Sequence, residues 1–498
     1  MAALDLDAYR ASAEAFVSDL DREYYLHMAG HKPELELEAI YDRHAGLFHA
    51  AAVAAIREAR AAVPPGTDEA RRLRYLLAFG LDGLLGRATR AESEEAARLE
   101  ASLEVGVAGE AIPYRQVPIR QANEADAERR EELEATRDAL MAERLNPLYL
   151  TALQRAQALC RELGWRSYAD AYGDVRGVDL EQLAVQTGRF LRATDASYAP
   201  LVDPRLEVAG LPALGELGRA DVPRFFRAPE LDALFPAESL VPSLDATLAG
   251  LGVDLASQAN VHLDTEPRES KSPRAFCSPV RIPGEVYLVI APVGGRDDYA
   301  ALFHEAGHTE HYANVDAGFP FEFRHLGDNS VTESFAFLFE HLTEDEAWLG
   351  DRLGIRDGEE AIAQARASRL VLLRRYAAKI AYELELHSAG VDLDAMPARY
   401  AELLGSATRI GWSPASWLAD VDSGFYVASY LRAWALETHW RRSLRERFGE
   451  RWFASGEAGE WLLGLMSQGQ RLDAGELLEA ELGEQLDFAA VAADLGIG

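Results

Sequence analysis

The stretch Tyr299–Asp316, "YAALFHEAGHTEHYANVD", places three histidines and two glutamates within eight residues, in a 498-residue chain that has only 12 histidines. Residue types and spacing together point to a metal. In an α-helix four residues advance about 400°, so His304 and His308 stand one turn apart on one face. Two imidazoles so placed reach one ion at about 2.0–2.1 Å, the zinc–nitrogen distance. Glu305 sits about 60° round the helix from His308, beside the ion, where it would serve as general base towards a water. Chance gives this four-constraint pattern about 0.03 times in a chain of this composition, so the motif is suggestive and a further ligand must decide.

The segment 328–342, "DNSVTESFAFLFEHL", carries Glu333, 25 residues beyond His308. That separation lets the first helix end, a turn form around Gly318–Phe319–Pro320, and a second helix return antiparallel. Glu333 then faces the two histidines as an oxygen ligand. Three protein ligands leave a fourth position for water, the arrangement of a catalytic zinc. One zinc ion per chain is the expected cofactor, and the same donors accept manganese or cobalt. Glu340, almost two turns past Glu333 on the same face, is a candidate to orient a ligand histidine or to contact substrate. His311 shares much of the His308 face but stands a turn too far to join the same ion. It reads as a hydrogen-bonding helper or as a packed core histidine. Gly307 costs its helix about 1 kcal/mol against alanine and implies close approach of another backbone, from a sheet or from the Glu333 helix.

The elements that must position these groups are mostly helical. Residues 4–63 have a helical apolar rhythm, with Phe16, Leu20, Tyr24 and His27 at threes and fours. "VPPGTDEARR" at 63–72 breaks it and restarts with Thr67 as N-cap. Segment 122–144 is charged on most faces and reads as a long solvated helix. Helices continue to about 195, and the prolines and glycines of 196–258 suggest a broken connection with short helices. The β signal lies in 260–292, as three short pieces near 260–265, 274–281 and 285–291, followed by Asp297 as N-cap of the motif helix. The expected architecture is mainly α with one small β-sheet. It comprises an N-terminal helical region (1–195), a helical connection (196–258) and a zinc-binding catalytic region (259–498), interwoven as one structural unit.

Acidic residues outnumber basic ones 82 to 50, for a net charge of −32, and no basic run offsets this, which argues against nucleic-acid binding. With 48 % hydrophobic residues the chain can bury a substantial core. Two cysteines, Cys160 and Cys277, make neither a disulfide framework nor a cysteine zinc site. The start "MAALDLDAYRASAEAF" lacks a basic n-region and an apolar h-region, and no apolar run is long enough to span a bilayer. A cytoplasmic protein with no membrane or nucleic-acid partner is expected; the sequence leaves the oligomeric state open.

"HEAGHTEH", followed after 25 residues by the glutamate of "TESFAFLFE", resembles the thimet oligopeptidase and oligoendopeptidase F family of zinc peptidases, the gluzincin type. Two further stretches are similar: "SPRAFCSPVRIPGEVYLVIAPVGG", like the family's strands ahead of the zinc helix, and "SGFYVASYLRAW" at 423–434, like its tyrosine-rich segment, through Phe425, Tyr426, Val427 and Tyr430. The resemblance covers about 260–435. It implies a zincin-like core in a two-lobed helical clamshell, whose deep channel admits short peptides. It also implies hydrolysis of their peptide bonds, with Tyr426 or Tyr430 donating to the oxyanion that forms on the scissile carbonyl. An edge strand, "RAFCSPV" or "VYLVIAP", would pair with the extended substrate. Cys277, in that region, reads as a small packed hydrophobe.

One feature departs from the family. A histidine commonly precedes the tyrosines, and here the chain has "LADVDSG", with Asp420 and Asp422, which would favour basic peptides. A helical zinc carboxypeptidase, which has similar "HEAGH" and "ES" elements, is the nearest alternative. A catalytically inactive peptide-binding protein on the same scaffold is the alternative from another class.

Overall fold

The computed structural model describes residues 4–496. It is mainly helical with a small three-stranded sheet, the coarse class that the periodicities indicate. The backbone falls into two compact units. The first comprises residues up to Leu81, Leu231–Ile362 and Arg432–Val491; the second comprises Asp82–Glu230, Ala363–Leu431 and the chain from Ala492. These units do not follow the linear stretches 1–195, 196–258 and 259–498. Among the described residues no helix is long and apolar enough to cross a membrane.

The strands are β1 Glu104–Val107 and β2 Glu110–Pro113 in the second unit, and β3 Val261–Asp264, β4 Phe276–Arg281 and β5 Glu285–Val289 in the first. The β1–β2 hairpin adds to the sequence reading, which had β structure only in 260–292. Its turn, Ala108–Gly109, has φ of 52° and 81°, the backbone of a tight two-residue hairpin. Ala-Gly lacks the Asn or Asp that usually announces such a turn. Val105, Val107 and Ile112 bury themselves against Leu133, Met141 and Leu145.

Helical expectations change in three places. The run 4–63 is three helices, Leu6–Met28, Leu37–Arg43 and Ala50–Ala61, and Tyr24, counted in the apolar rhythm, is exposed. The charged stretch 122–144 forms the helix Ala127–Leu140, which buries Arg130 and Leu133 and pairs Arg130 Nη2 with Asp221 at 2.6 Å. The broken connection begins later than expected, because the helix Leu180–Val208 continues through Pro200 and Pro204. Each proline removes a helical N–H, yet Tyr198, Val202 and Leu206 are fully buried, and that packing outweighs the lost bonds.

In the first unit the sheet order is β3–β5–β4, with β3 parallel and β4 antiparallel to β5. The helix Leu6–Met28 lies along β4: Ser18 Oγ donates to the Val280 carbonyl and Ser278 Oγ to that of Asp21. Two helices complete the frame of the site, Arg296–Ala313 with the HEAGH motif and Asn329–Leu342 with Glu333.

Candidate metal centre

The HEAGH helix starts where the chain leaves β5 through two glycines. Gly294 and Gly295 both have φ of 90°, and a Cβ on Gly294 would stand 2.8 Å from the Ala237 nitrogen. Gly295 occupies the cap, so Asp297 lies in the first turn and not at the N-cap expected for it. Asp298 accepts instead from the Val293 and Gly294 amides, at 2.6 and 2.8 Å, next to the positive end of the helix.

The Glu333 helix runs antiparallel to the first, since residues 304, 307 and 308 of one meet residues 340, 335 and 332 of the other. Gly307 sets their separation. A Cβ there would fall 2.4 Å from the Phe335 carbonyl oxygen and 2.6 Å from Ala336 Cα, so of the two partners expected for this glycine the Glu333 helix is the one. Asp328 caps that helix by accepting from the Ser330 amide at 2.9 Å. The same carboxylate accepts from Arg432 Nη1 at 2.7 Å and from the Ala474 amide at 3.0 Å, which pins the helix start ahead of Glu333.

His304, His308 and Glu333 each bring one ligand atom into a group whose members lie within 4.8 Å of one another. Glu333 Oε2 is 3.4 Å from His304 Nε2 and 3.6 Å from His308 Nε2. Donors bound tetrahedrally at about 2.1 Å stand about 3.4 Å apart, so these spacings fit a zinc-sized ion with little rearrangement. Two imidazoles and a carboxylate supply three of the four donors that a tetrahedral ion takes. The rings lie 5.0 Å apart at 79°, each with Nε2 turned inward. Outward, His304 Nδ1 is 2.8 Å from Glu340 Oε2, and His308 Nδ1 is 2.8 Å from Thr332 Oγ1.

The two imidazoles differ in charge. Burial disfavours protonation of His304, but the Glu333 and Glu340 carboxylates outweigh it and hold its pKa well above the usual histidine value. Burial holds His308 down to about 4 against the pull of Glu333, so it is a neutral donor at neutral pH. The His304 proton occupies the place of a cation between two carboxylates, and binding an ion there requires its release.

Glu305 points to the sheet. Its Oε2 accepts from the Cys277 backbone N–H at 2.8 Å. Cys277 lies opposite Leu288 in the register, and its N–H is turned away from β5 towards Glu305. Burial pushes the Glu305 carboxyl up to about 7, reinforced by Glu333 and Glu340 and opposed by His304 and the Cys277 amide. Of the two candidate edge strands, "RAFCSPV" is β4, at the edge. "VYLVIAP" is β5, paired on both sides, so it is not an edge. The Cys277 thiol is half-buried with its pKa raised by burial, as expected of a packed cysteine.

The structure brings His304, Glu305, His308, Glu333 and Glu340 together. His311 is apart from them. It is fully buried between Tyr312 and Phe335, at ring distances of 5.3 and 5.0 Å, with burial lowering its pKa to about 3. Of its two readings, the packed core histidine is the one found. Tyr426 and Tyr430 belong to the second unit, in the first turns of the helix Tyr426–Phe448, with rings 4.9 Å apart. Asp420 and Asp422 are not free to recruit a basic peptide. Asp420 is paired with Arg375 and accepts from Tyr400 at 2.7 Å, and Asp422 lies 2.9 Å from Lys379 Nζ.

Three contacts were not visible in sequence: Thr332 on His308, the Cys277 amide on Glu305, and Phe337, edge-on to His304 at 5.2 Å and stacked on Trp434 at 4.8 Å. Thr332 and Phe337 flank Glu333 in the helix, so adjacency to a ligand was the only available signal. Compared with family models and with curated proteins, the chain matches none.

Proposed function

We propose that the chain is a zinc metallopeptidase that hydrolyses peptide bonds in short peptides. The observation that carries this reading is the set of Glu333 Oε2 spacings to the two histidine Nε2 atoms, 3.4 and 3.6 Å, with Glu305 on the next residue. His304, His308 and Glu333 would hold the ion. A divalent cation there supplies a Lewis acid that polarises the scissile carbonyl and makes a water acidic enough to lose a proton near neutral pH. Glu305, held by the Cys277 N–H, takes that proton and returns it to the leaving amine nitrogen. One C–O bond forms and the C–N bond breaks, with no other co-reactant. Glu340 keeps the His304 ring turned, and β4, the strand beside Glu305, is the one an extended peptide would lie against.

A zincin-like core, a cytoplasmic setting and a role for Tyr426 or Tyr430 as oxyanion donor belong to the same reading. The two free cysteines, Cys160 and Cys277, support the setting, and the resemblance supports the donor role. The test is zinc analysis of the purified chain together with mass spectrometry of a mixed pool of short peptides, with and without chelator. About one zinc per chain and chelator-sensitive cleavage are expected. Less than half an equivalent, with no cleavage restored on adding zinc, overturns the reading. Peptides blocked at the C-terminus separate internal cleavage from carboxypeptidase action.

A further inference from the structure

We infer that the loop Ser467–Asp473, together with Arg432, clasps the linker between the two ligand helices and so positions Glu333 for the cation. The inference rests on the metal site just proposed and adds to it a segment from the C-terminal part of the chain. Glu333 stands in the second turn of its helix, five residues past the Asp328 cap. Helix ends fray, and the first turn has N–H groups with no partner inside the helix. If that turn unwinds, the carboxylate leaves the histidines. The contacts of Gly307 with Phe335 and of His304 with Glu340 lie beyond Glu333 and do not hold the helix start.

The linker runs from Asn314 to Asp328, and the loop meets it at both ends and in the middle. Near the first helix the Asp316 amide donates to the Ser467 carbonyl at 3.0 Å. In the middle the Gln470 amide donates to the Phe323 carbonyl at 2.8 Å. At the second helix Gln470 Nε2 donates to the Asp328 carbonyl at 3.3 Å, and the Ala474 amide to the Asp328 carboxylate at 3.0 Å. Two glycines let the segments lie this close. Gly469 has φ of 58°, and a Cβ there would stand 2.7 Å from the Phe323 carbonyl oxygen; a Cβ on Gly327 would fall onto Gln470. Gln470 and Phe323 are buried, so water does not compete for these bonds.

Charge closes the clasp. Asp328 Oδ1 takes the Ser330 amide of its own helix, while Oδ2 takes the first amide of the helix Ala474–Leu482, so one carboxylate caps two helices. Asp473 completes the second cap, accepting from the Gly475 and Glu476 amides at 3.0 and 3.1 Å. Arg432 stands between the two aspartates, 2.7 Å from Asp328 and 3.4 Å from Asp473, and offsets their repulsion. Such positioning works in both directions: a segment that holds Glu333 for the ion is held in turn when the ion is bound.

The test reads zinc affinity on metal-free full-length protein, by competition with a chromophoric chelator, with the melting temperature of each variant beside it. Gly469→Ala, which drives the loop off the Phe323 carbonyl, and Arg432→Met are each expected to weaken zinc binding about 10-fold, and Arg432→Lys to stay within about threefold of the parent. Lys379→Met, in the second unit, is the control for lost stability alone and is expected to leave zinc affinity unchanged. Hydrogen exchange on the unmodified chain reads the reverse direction: zinc is expected to slow the Gln470 and Ala474 amides about 10-fold more than those of the β1–β2 hairpin. Arg432→Met or Gly469→Ala within about twofold of the parent overturns the inference. So does a Lys379→Met penalty as large as theirs, or equal slowing of exchange in both places, and the exchange result stands even where a variant does not fold. A parent that binds zinc without cleaving peptides refutes the peptidase reading and leaves the clasp standing; a parent that binds no zinc refutes the site and the clasp together.

Discussion

Two clusters of acids, one in each unit and each built round one buried glutamate, make an instructive pair. In the first unit Glu305, Glu333 and Glu340 surround two imidazoles, and the one positive charge among them is a proton held on His304. In the second, Asp420, Asp422 and Glu383 surround Lys379, whose Nζ lies 3.7, 2.9 and 3.8 Å from them, with Arg375 and Tyr400 on Asp420. There the cations are built in. Arg375 and Lys379 overcome burial and hold Asp420 below the usual carboxylate range, while burial pushes Glu383 well above it. Two built-in cations, Arg375 and Lys379, thus stand against the two aspartates. Convergence of acids is thus no mark of a metal site by itself. What sets the first cluster apart is the pair of imidazole Nε2 atoms facing Glu333.

The contrast yields predictions of decreasing size. Glu305→Gln keeps the three ligands and removes the base, so kcat is expected to fall about 10²- to 10⁴-fold with zinc retained, measured by peptide turnover beside metal analysis. Survival of turnover would separate the base from the metal and end the proposed mechanism. Lys379→Met removes the buried cation from beside Asp420, Asp422 and Glu383, and a loss of about 3–5 kcal/mol in denaturant unfolding is expected with zinc content unchanged. Glu333→Gln should show the opposite pattern, with zinc lost. If the two variants behave alike, the clusters are not different in kind. Gly307→Ala forces a methyl into the Phe335 carbonyl and is expected to cost about 1–3 kcal/mol, and zinc affinity should fall with it because the ligand helices are driven apart.

The smallest effect, counted over a single pH unit, is in acid. His311 and His387 are each buried as neutral imidazoles, with burial lowering both to about 3. The unfolded chain protonates first, below about 6.5, so stability present above that pH is lost progressively towards about 3, at up to about 1.4 kcal/mol per pH unit for each imidazole. His304 has the opposite sign in the metal-free chain: its raised pKa adds stability below about 6.5 that is lost as pH rises through the folded value. Urea unfolding of metal-free His311→Leu should show a flatter acid limb than the parent.

Much of the candidate ligand set is legible in the sequence because it is local. A spacing of four puts His304 and His308 on one face whatever surrounds them, and Gly307 in a helix announces a close neighbour. Glu333 needed one inference about chain reversal, and its helix start is marked by Asp328. The three strands of 260–292 were visible through their punctuation. Their order is not written there, and β5, one of the two edge candidates, is the middle strand. The helix through Pro200 and Pro204 was missed because burial at Tyr198, Val202 and Leu206 overrides a local penalty.

From the residues alone follow a helical protein, an i, i+4 histidine pair with a glutamate beside it, and a distant acid able to join them. Tertiary structure decided the rest: which Nδ1 partner each imidazole has, that a β4 amide holds Glu305, that His311 packs away from the site, and that Asp420 and Asp422 are neutralised by Arg375 and Lys379. The division has a physical cause. Helical periodicity is written in the covalent chain at short range, whereas hydrogen-bond direction and charge balance depend on groups that lie tens of residues apart and meet only after packing has excluded water.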